Sequence, residues 1–465
     1  MKKIKYVLLL TAVLTNCLIG TLAIAQSDSL YDRDWLSASF HKARREALRE
    51  KLAPKSVAVV FANAERNRSN DVDFQYSQDP DFYYLSGLIE PNAVLLIFKE
   101  PQTIDSITTN ELIYVQPRSP RDESWTGKRL GIDGVKKQLG FEHAYVNTDF
   151  ADFNLDFKKF DKIYHPPFNN DVRDDKTDSG DLFSLLKIFN EKTKDLQTKD
   201  YYTFYSFMSD LREIKLPEEL TQLRKAIDIT CASHLELMKK LESNMTEYQA
   251  QAIVEYGFKY GGSEYVGYPS IVGAGENSCI LHYITNRKKL TPNDIMVVDA
   301  GAEYHGYTAD VTRTLPISGK FSEEQKQIYN LVLKAQLAGI DACKEGNLFR
   351  APHNAAADVI KKGLMDLGIT SSPNEFIKYF FHGTSHYLGL DVHDVGNYAR
   401  LKANEVITVE PGIYIPENAS CDKKWWNIGV RIEDDVLITN GVPDVLSGKL
   451  PKTVEDIEKL MKKSK

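Results

Sequence analysis

Acidic residues in the last third of this chain sit at the ends of apolar, β-type runs, and this placement constrains the fold more than any other feature. Asp299 closes the run in MVVDAG, Asp310 opens DVTRTLP, and Glu410 ends EVITVE ahead of a Pro-Gly turn. Glu433 lies inside VRIEDDV. An unpaired charge beside a core strand is costly, so a fold that buries these strands must give the carboxylates cationic company. Between the second and third carboxylates lies HGTSHYLGLDVHDVG, which holds His382, His386 and His393. Three imidazoles with glycines and aspartates in so short a segment are hard to explain as packing. Its small residues discourage a continuous helix, so a loop-and-strand wall is expected. Asp299, Asp310, His386, Glu410 and Glu433 together offer hard oxygens and one borderline nitrogen. That set suits Mn²⁺, or Zn²⁺ and Co²⁺ when the geometry allows. Two such ions about 3.5–4 Å apart can aim a hydroxide at a carbonyl carbon. The pattern points to metal-assisted hydrolysis.

Asp299 and Asp310 flank two β-like runs joined by the turn-prone stretch Glu303–Gly306. A turn closing about Tyr304 and His305 places the two carboxylates opposite each other, with Cβ atoms about 5 Å apart. Bare carboxylates that close repel one another, and a metal relieves this. Taken alone, the pair reads equally as two acidic turn residues on a solvated hairpin. Arg431 and Glu433 share one face of their strand, with Val430 and Ile432 on the other. The arginine is therefore expected to orient the glutamate, the alternative being a surface Arg/Glu ladder. His282, in ENSCILHYITN, joins His382 and His393 as a site candidate; His41, His143, His165, His234, His305 and His353 read as bystanders.

Net charge is −7, with 26% charged and 42% hydrophobic residues, an ordinary globular balance with no basic excess to suggest a nucleic-acid partner. Lys2, Lys3 and Lys5 precede the apolar run Tyr6–Leu14, and Ala23-Ile24-Ala25 offers small residues for cleavage. Residues 1–25 are expected to be a signal peptide, too short for a stable membrane span, and the mature chain to be periplasmic or secreted. The alternative makes Cys17 a lipidated N-terminus. The later cysteines, Cys231, Cys279, Cys343 and Cys421, form neither a CxxC pair nor a zinc-ribbon spacing, so no disulfide framework is expected.

Short β-rich runs (SVAVVFAN, AVLLIF, ELIYVQP) alternate with helical stretches and indicate an α/β N-terminal domain over residues 26–205. Helices are expected over Leu36–Leu52 and Leu182–Leu196. Beyond 206, Pro217 suits a first helical turn. Thr246 with Gln249, and Ser322 with Gln325, have capping-box spacing. Pro352 opens a helix that Gly368 ends. Helices kept apart from largely antiparallel strands make residues 206–465 an α+β domain.

The segments ENSCILHYITN, VVDAGAEYHGYTADVTRTLP, HGTSHYLGLDVHDVGNY, TVEPGIYI and VRIEDDV together resemble the Xaa-Pro aminopeptidases (aminopeptidase P), metallopeptidases of the pita-bread fold. The likeness runs over nearly all of Pro217–Leu446 and reaches the N-terminal domain through RNRSNDVDFQYSQDPDFYYLSGLIEPNAVLLI, which is similar to the creatinase/prolidase-type domain of that family. There the chain departs from the usual wording at Ser77-Gln78-Asp79-Pro80.

The resemblance implies that Asp299, Asp310, His386, Glu410 and Glu433 hold two divalent ions, with Mn²⁺ the usual activating metal. Asp310 and Glu433 would bridge, Asp299 would hold one ion, and His386 with Glu410 the other. It further implies that His282, His382, His393, Tyr414 and Arg431 line the substrate site. A hydroxide between the ions would attack the Xaa-Pro carbonyl, with Glu410 carrying the proton. The implied substrates are peptides with an N-terminal Xaa-Pro, and the implied assembly is a homo-oligomer, dimer or tetramer. The alternatives are a prolidase restricted to Xaa-Pro dipeptides and a pita-bread protein that binds without catalysis.

Overall fold

The computed structural model of the chain describes residues 34–168 and 171–462. The expected leader, residues 1–25 with Cys17, lies outside the described residues.

The first half is built on a six-stranded sheet in the order 144–146, 107–115, 94–104, 56–61, 162–164, 199–200. Val94–Ile104 pairs antiparallel with Ile107–Val115 and with Ser56–Phe61, whereas Ser56–Phe61 runs parallel to Lys162–Tyr164. A central strand covered on both faces reads as an unbroken apolar run, and every residue of SVAVVF is buried. Val57, Val59, Leu96, Phe98, Phe150, Phe157 and Phe189 form one cluster beneath this sheet. Burying each such side chain contributes roughly 1.5–3 kcal/mol.

Local signals set the helix starts in the second half. The helix Pro217–Lys240 opens on its proline, and Glu219 Oε2 accepts from the Leu216 amide at 3.0 Å. Gln249 Oε1 accepts from the Thr246 amide ahead of Glu247–Tyr260, and Gln325 does the same for Ser322 ahead of Glu323–Asp341. The helix Ala351–Asp366 is followed by Gly368 at φ +67°, a left-handed position that suits glycine. Among the described residues no helix is long and apolar enough to cross a membrane, and Cys231, Cys279, Cys343 and Cys421 are free thiols.

The strands of this half pair antiparallel. Ile295–Ala300 lies between Ile271–Ala274 and Val311–Pro316, Val406–Val409 pairs with Asp434–Leu437, and Gly412–Ile415 with Ile428–Arg431. The register differs from the sequence expectation. The turn closes about His305-Gly306, with Tyr304 opposite Tyr307, so Asp299 faces Thr312 rather than Asp310. Both turn residues have positive φ (50° and 85°), the geometry whose twist matches that of the strands it joins. A shift of two residues keeps side chains on the same face, so the two aspartates still converge.

The loop between His386 and Asp394 is anchored from outside these antiparallel sheets. Tyr387 and Asp394 form a bridge, with the Asp394 amide donating to the Tyr387 carbonyl at 3.0 Å. The buried Asp394 carboxylate accepts from Arg212 Nη2 at 2.5 Å and from Lys215 Nζ at 3.0 Å. Arg212 also donates to Asp81 at 2.6 Å, on the helix Pro80–Ser86. A salt-bridged chain thus runs from the N-terminal half to the histidine segment.

Candidate metal centre

Asp299, on Ile295–Ala300, and Asp310, just before Val311–Pro316, meet at one hydroxyl: Tyr268 lies 2.5 Å from a carboxylate oxygen of each. One phenolic proton cannot serve both carboxylates at once. The second contact therefore calls for a carboxyl proton or a cation nearby. Glu433, between the strands Ile428–Arg431 and Asp434–Leu437, reaches the same place, where Thr312 donates to its Oε2 at 2.7 Å, and its amide donates to the Thr312 carbonyl at 3.1 Å. Asp310, His386 and Glu433 offer ligand atoms that all lie within 4.8 Å of one another. Glu410 follows Val406–Val409, its amide held by the Thr384 carbonyl at 2.9 Å.

The histidine segment forms no helix between 382 and 394, and it places the imidazoles differently. His386 Nδ1 is 3.0 Å from the Tyr387 carbonyl, which accepts the ring proton there, so Nε2 is the nitrogen turned inward. Nε2 lies 3.4 Å from Asp310 and 3.7 Å from Glu410. His382 Nδ1 is likewise on a carbonyl, that of Gly383 at 2.6 Å, while Nε2 is 3.0 Å from the Tyr414 hydroxyl. Burial and the Arg431 charge push His382 down to about 3, so this ring is neutral. His393 packs edge-on against His386, with centroids 4.3 Å apart, and is exposed, as is His282. Partial loss of contact with water, with His386 and His282 close by, lowers His393.

Arg431 departs from expectation. Its Nη2 donates to Asp299 at 2.6 Å and its Nη1 to the Tyr414 hydroxyl at 2.9 Å, while Glu433 is held by Thr312. The guanidinium therefore fixes Asp299 and, through Tyr414, the His382 ring. Sequence reasoning missed Tyr268, Thr312, Asp435 and His353. Asp435 accepts from the Asp310 amide at 3.3 Å, and His353 lies 2.9 Å from Thr384 Oγ1. Thr312 was findable, since alternation puts it on the Asp310 face. Tyr268 carries no such signal.

The donor set fits a pair of divalent cations. Burial and the charges of their acidic neighbours push Asp310 and Glu433 well above the carboxylate range; burial and Glu433 push Glu410 up to about 8. The fourth acid, Asp299, is bonded directly to the Arg431 guanidinium. Hard oxygens crowded round an inward-facing imidazole nitrogen are what Mn²⁺, Zn²⁺ or Co²⁺ would satisfy.

Known proteins carry the same architecture. Residues 221–440 match metallopeptidase family M24, and residues 41–164 match the aminopeptidase P N-terminal domain. The chain is 35% identical over 431 residues to the Xaa-Pro aminopeptidase of Haemophilus influenzae, covering 90% of this chain and 96% of that protein. It is 34% identical over 443 residues to that of Escherichia coli, covering 92% and 98%. A variant of Escherichia coli aminopeptidase P solved in complex with substrate has a TM-score of 0.83 at 32% identity, over 92% of this chain and 98% of that one. A zinc-substituted form of that enzyme, in complex with product, gives the same TM-score over the same shares of the two chains. The chain belongs to the aminopeptidase P family of M24 metallopeptidases, in which an aminopeptidase P-type N-terminal domain precedes a pita-bread catalytic domain.

Proposed function

We propose that this protein is a metal-dependent Xaa-Pro aminopeptidase, releasing the first residue from peptides with proline second. The observation that carries the reading is the convergence of Asp310, His386 and Glu433 within 4.8 Å, flanked by Asp299 and Glu410, in a chain of this family. Asp299, Asp310, His386, Glu410 and Glu433 would hold two divalent ions, with Mn²⁺ the first choice. When bound, the ions supply an activated water and polarise the scissile carbonyl.

The remaining work falls to side chains. Glu410, 3.7 Å from His386 and 3.6 Å from His382, accepts the proton of the attacking water and passes it toward the leaving proline nitrogen. His282 and His393, both exposed, hold the scissile carbonyl and stabilise its developing charge. Asp299, fixed by Arg431, takes the free N-terminal amine, which restricts cleavage to the chain end. Tyr414 and His382 form the wall against the proline ring, whose nitrogen has no hydrogen to donate.

The test is hydrolysis by purified protein, stripped with chelator and then reloaded with Mn²⁺, Zn²⁺ or Co²⁺, of Gly-Pro against a longer Xaa-Pro-Yaa peptide. Metal-dependent release of Xaa from the longer peptide is expected. Cleavage confined to the dipeptide would make the protein a prolidase, and no cleavage with metal restored would refute the enzyme reading.

We further propose that the chain is exported through residues 1–25 and assembles as a homo-oligomer, dimer or tetramer. The lysines ahead of Tyr6–Leu14 and the Ala23-Ile24-Ala25 site support the first; family membership supports the second. N-terminal sequencing and light scattering test them.

A further inference from the structure

Residues 384–388 lie antiparallel to Val406–Val409 and carry part of the site with them. The Leu388 amide donates to the Val406 carbonyl at 3.0 Å, the Thr408 amide to the His386 carbonyl at 3.0 Å, and the Glu410 amide to the Thr384 carbonyl at 2.9 Å. Thr384 is thus the last rung, and its carbonyl holds the backbone of Glu410. Little else keeps this end in place. A Cβ added at Gly383 would meet no atom within 4 Å, and the buried Ser385 hydroxyl has no bonding partner. The end of a ladder opens first when nothing pins it.

One side chain does pin it. His353, in the first turn of helix Ala351–Asp366, stands with Nδ1 2.9 Å from Thr384 Oγ1. Thr384 is 1% exposed, so the bond is shielded from water. The same ring lies 5.4 Å from that of Phe380, which meets the His382 ring edge-on at 5.1 Å. His353 therefore reaches the histidine segment on both sides of Gly383, once by a hydrogen bond and once by packing. Its partner Thr384 lies 31 residues away in the chain, which is why the sequence alone set His353 aside.

We propose that His353 is a positioning residue for the hydrolysis: by pinning Thr384 it aims Glu410, and by backing Phe380 it steadies the His382 ring. The proposal rests on the aminopeptidase reading, in which Glu410 carries the proton and His382 stands against the proline. Proton transfer needs its partners within hydrogen-bond reach, so a small displacement of Thr384 is felt in the reaction through Glu410. The effect falls on the chemical step more than on peptide binding, because His353 itself meets neither the scissile bond nor its ends. Glu410 is also one of the proposed metal ligands, so the same displacement weakens metal binding.

The test measures kcat and KM for an Xaa-Pro-Yaa peptide, and Mn²⁺ affinity by calorimetry, in wild type, His353→Phe, His353→Asn, Thr384→Val and the double variant that joins His353→Phe to Thr384→Val. Phenylalanine keeps a ring against Phe380 and loses Nδ1. Asparagine returns an amide atom to that place, and valine removes Oγ1 while leaving the Thr384 carbonyl. His353→Phe and Thr384→Val should each lower kcat about tenfold, hold KM within about twofold, and weaken Mn²⁺ binding about tenfold. The double variant should lose no more than either single one, since both remove the same bond. His353→Asn should recover most of the loss, which a merely structural role would not produce. Wild-type kcat and affinity in His353→Phe would overturn the proposal. So would losses that multiply in the double variant, or an asparagine variant no better than phenylalanine. If His353→Phe does not fold, Thr384→Val decides by the same two measurements. Absence of Xaa-Pro cleavage by wild type would instead remove the aminopeptidase reading, and the Mn²⁺ titrations would still tell whether His353 holds this segment.

Discussion

Replacing Arg212 by alanine tests whether the N-terminal half holds the histidine segment in place. The guanidinium is 3% exposed and serves three carboxylates: Asp394 at 2.5 Å, Asp81 at 2.6 Å and Asp391 at 3.2 Å. Asp394 is 1% exposed, and without Arg212 it keeps Lys215 as its cation. Removing one partner of a buried pair costs about 3–5 kcal/mol, because the other charge stays buried and uncompensated. Against a typical total of roughly 5–15 kcal/mol this is a large loss.

The pH dependence has a definite sign. Burial opposes ionisation of Asp394, but Arg212 and Lys215 outweigh it and hold the carboxyl below its usual range. In the wild type its contribution is therefore present above the unfolded pKa near 4 and lost on acidification below that. Burial pushes Asp81 up, and Arg212 opposes the rise. In Arg212→Ala both carboxyls move upward. A raised acid stabilises the fold only while protonated, and that contribution disappears as pH rises. The deficit of the variant must be larger at pH 8 than at pH 5.

Urea unfolding of the metal-loaded protein followed by circular dichroism reads this directly, with kcat/KM measured alongside. Because Asp394 bridges Tyr387 and adjoins His393, a displacement of about 1 Å there can lower activity on the order of 100-fold with the metal still bound. Arg212→Lys, which keeps the charge and loses the fork, should recover part of both. A deficit under about 1 kcal/mol, or one equal at the two pH values, would show that the clamp contributes nothing of this kind.

Two further substitutions probe the centre itself. Tyr268→Phe removes the hydroxyl shared by Asp299 and Asp310, so calorimetric titration of the chelated protein should show metal affinity reduced about 10–100-fold with the fold intact; unchanged affinity would mean that the hydroxyl orients neither ligand. Glu410→Ala removes the proposed proton carrier, and single-turnover measurements with saturating metal should give rates lower by about 10²–10⁴. Near wild-type rates would transfer that role to another group.

What could be read in the sequence divides along physical lines. Caps are local devices, and Thr246 with Gln249, Ser322 with Gln325 and Pro217 each sit at a helix start for the reasons visible in the chain. Strand faces were legible too, because a period of two survives an error of two. The turn sits at His305-Gly306 rather than Tyr304-His305, yet Asp299 and Asp310 keep a common face. Partnerships between strands were not legible. Arg431 and Glu433 share a face, but only the packing of Val311–Pro316 against Ile428–Arg431 decides that the arginine reaches Asp299 and that Thr312 takes the glutamate. Tyr268 and Arg212 illustrate the same limit over longer separations, with partners from 31 to 182 residues away.

The run Glu433-Asp434-Asp435 shows why cations belong in the centre. All three carboxylates are buried, and burial raises each of them. Asp434 nevertheless ends far below the usual range, because Arg313 at 2.8 Å and Lys452 at 2.6 Å point at it, with Ser447 and Gln336 donating as well. Its neighbours Glu433 and Asp435 have no lysine or arginine bonded to them among the described residues, and both stand well above the range, as does Asp310. The chain thus neutralises one acid with its own side chains and leaves the adjacent group short of positive charge by several units. Arg431 accounts for part of that shortfall at Asp299, and His386 turns Nε2 toward the rest. Protons could fill the remainder only at the expense of the ionised oxygens that divalent cations require. Two such cations, held by Asp299, Asp310, Glu410, Glu433 and Nε2 of His386, would supply the missing charge.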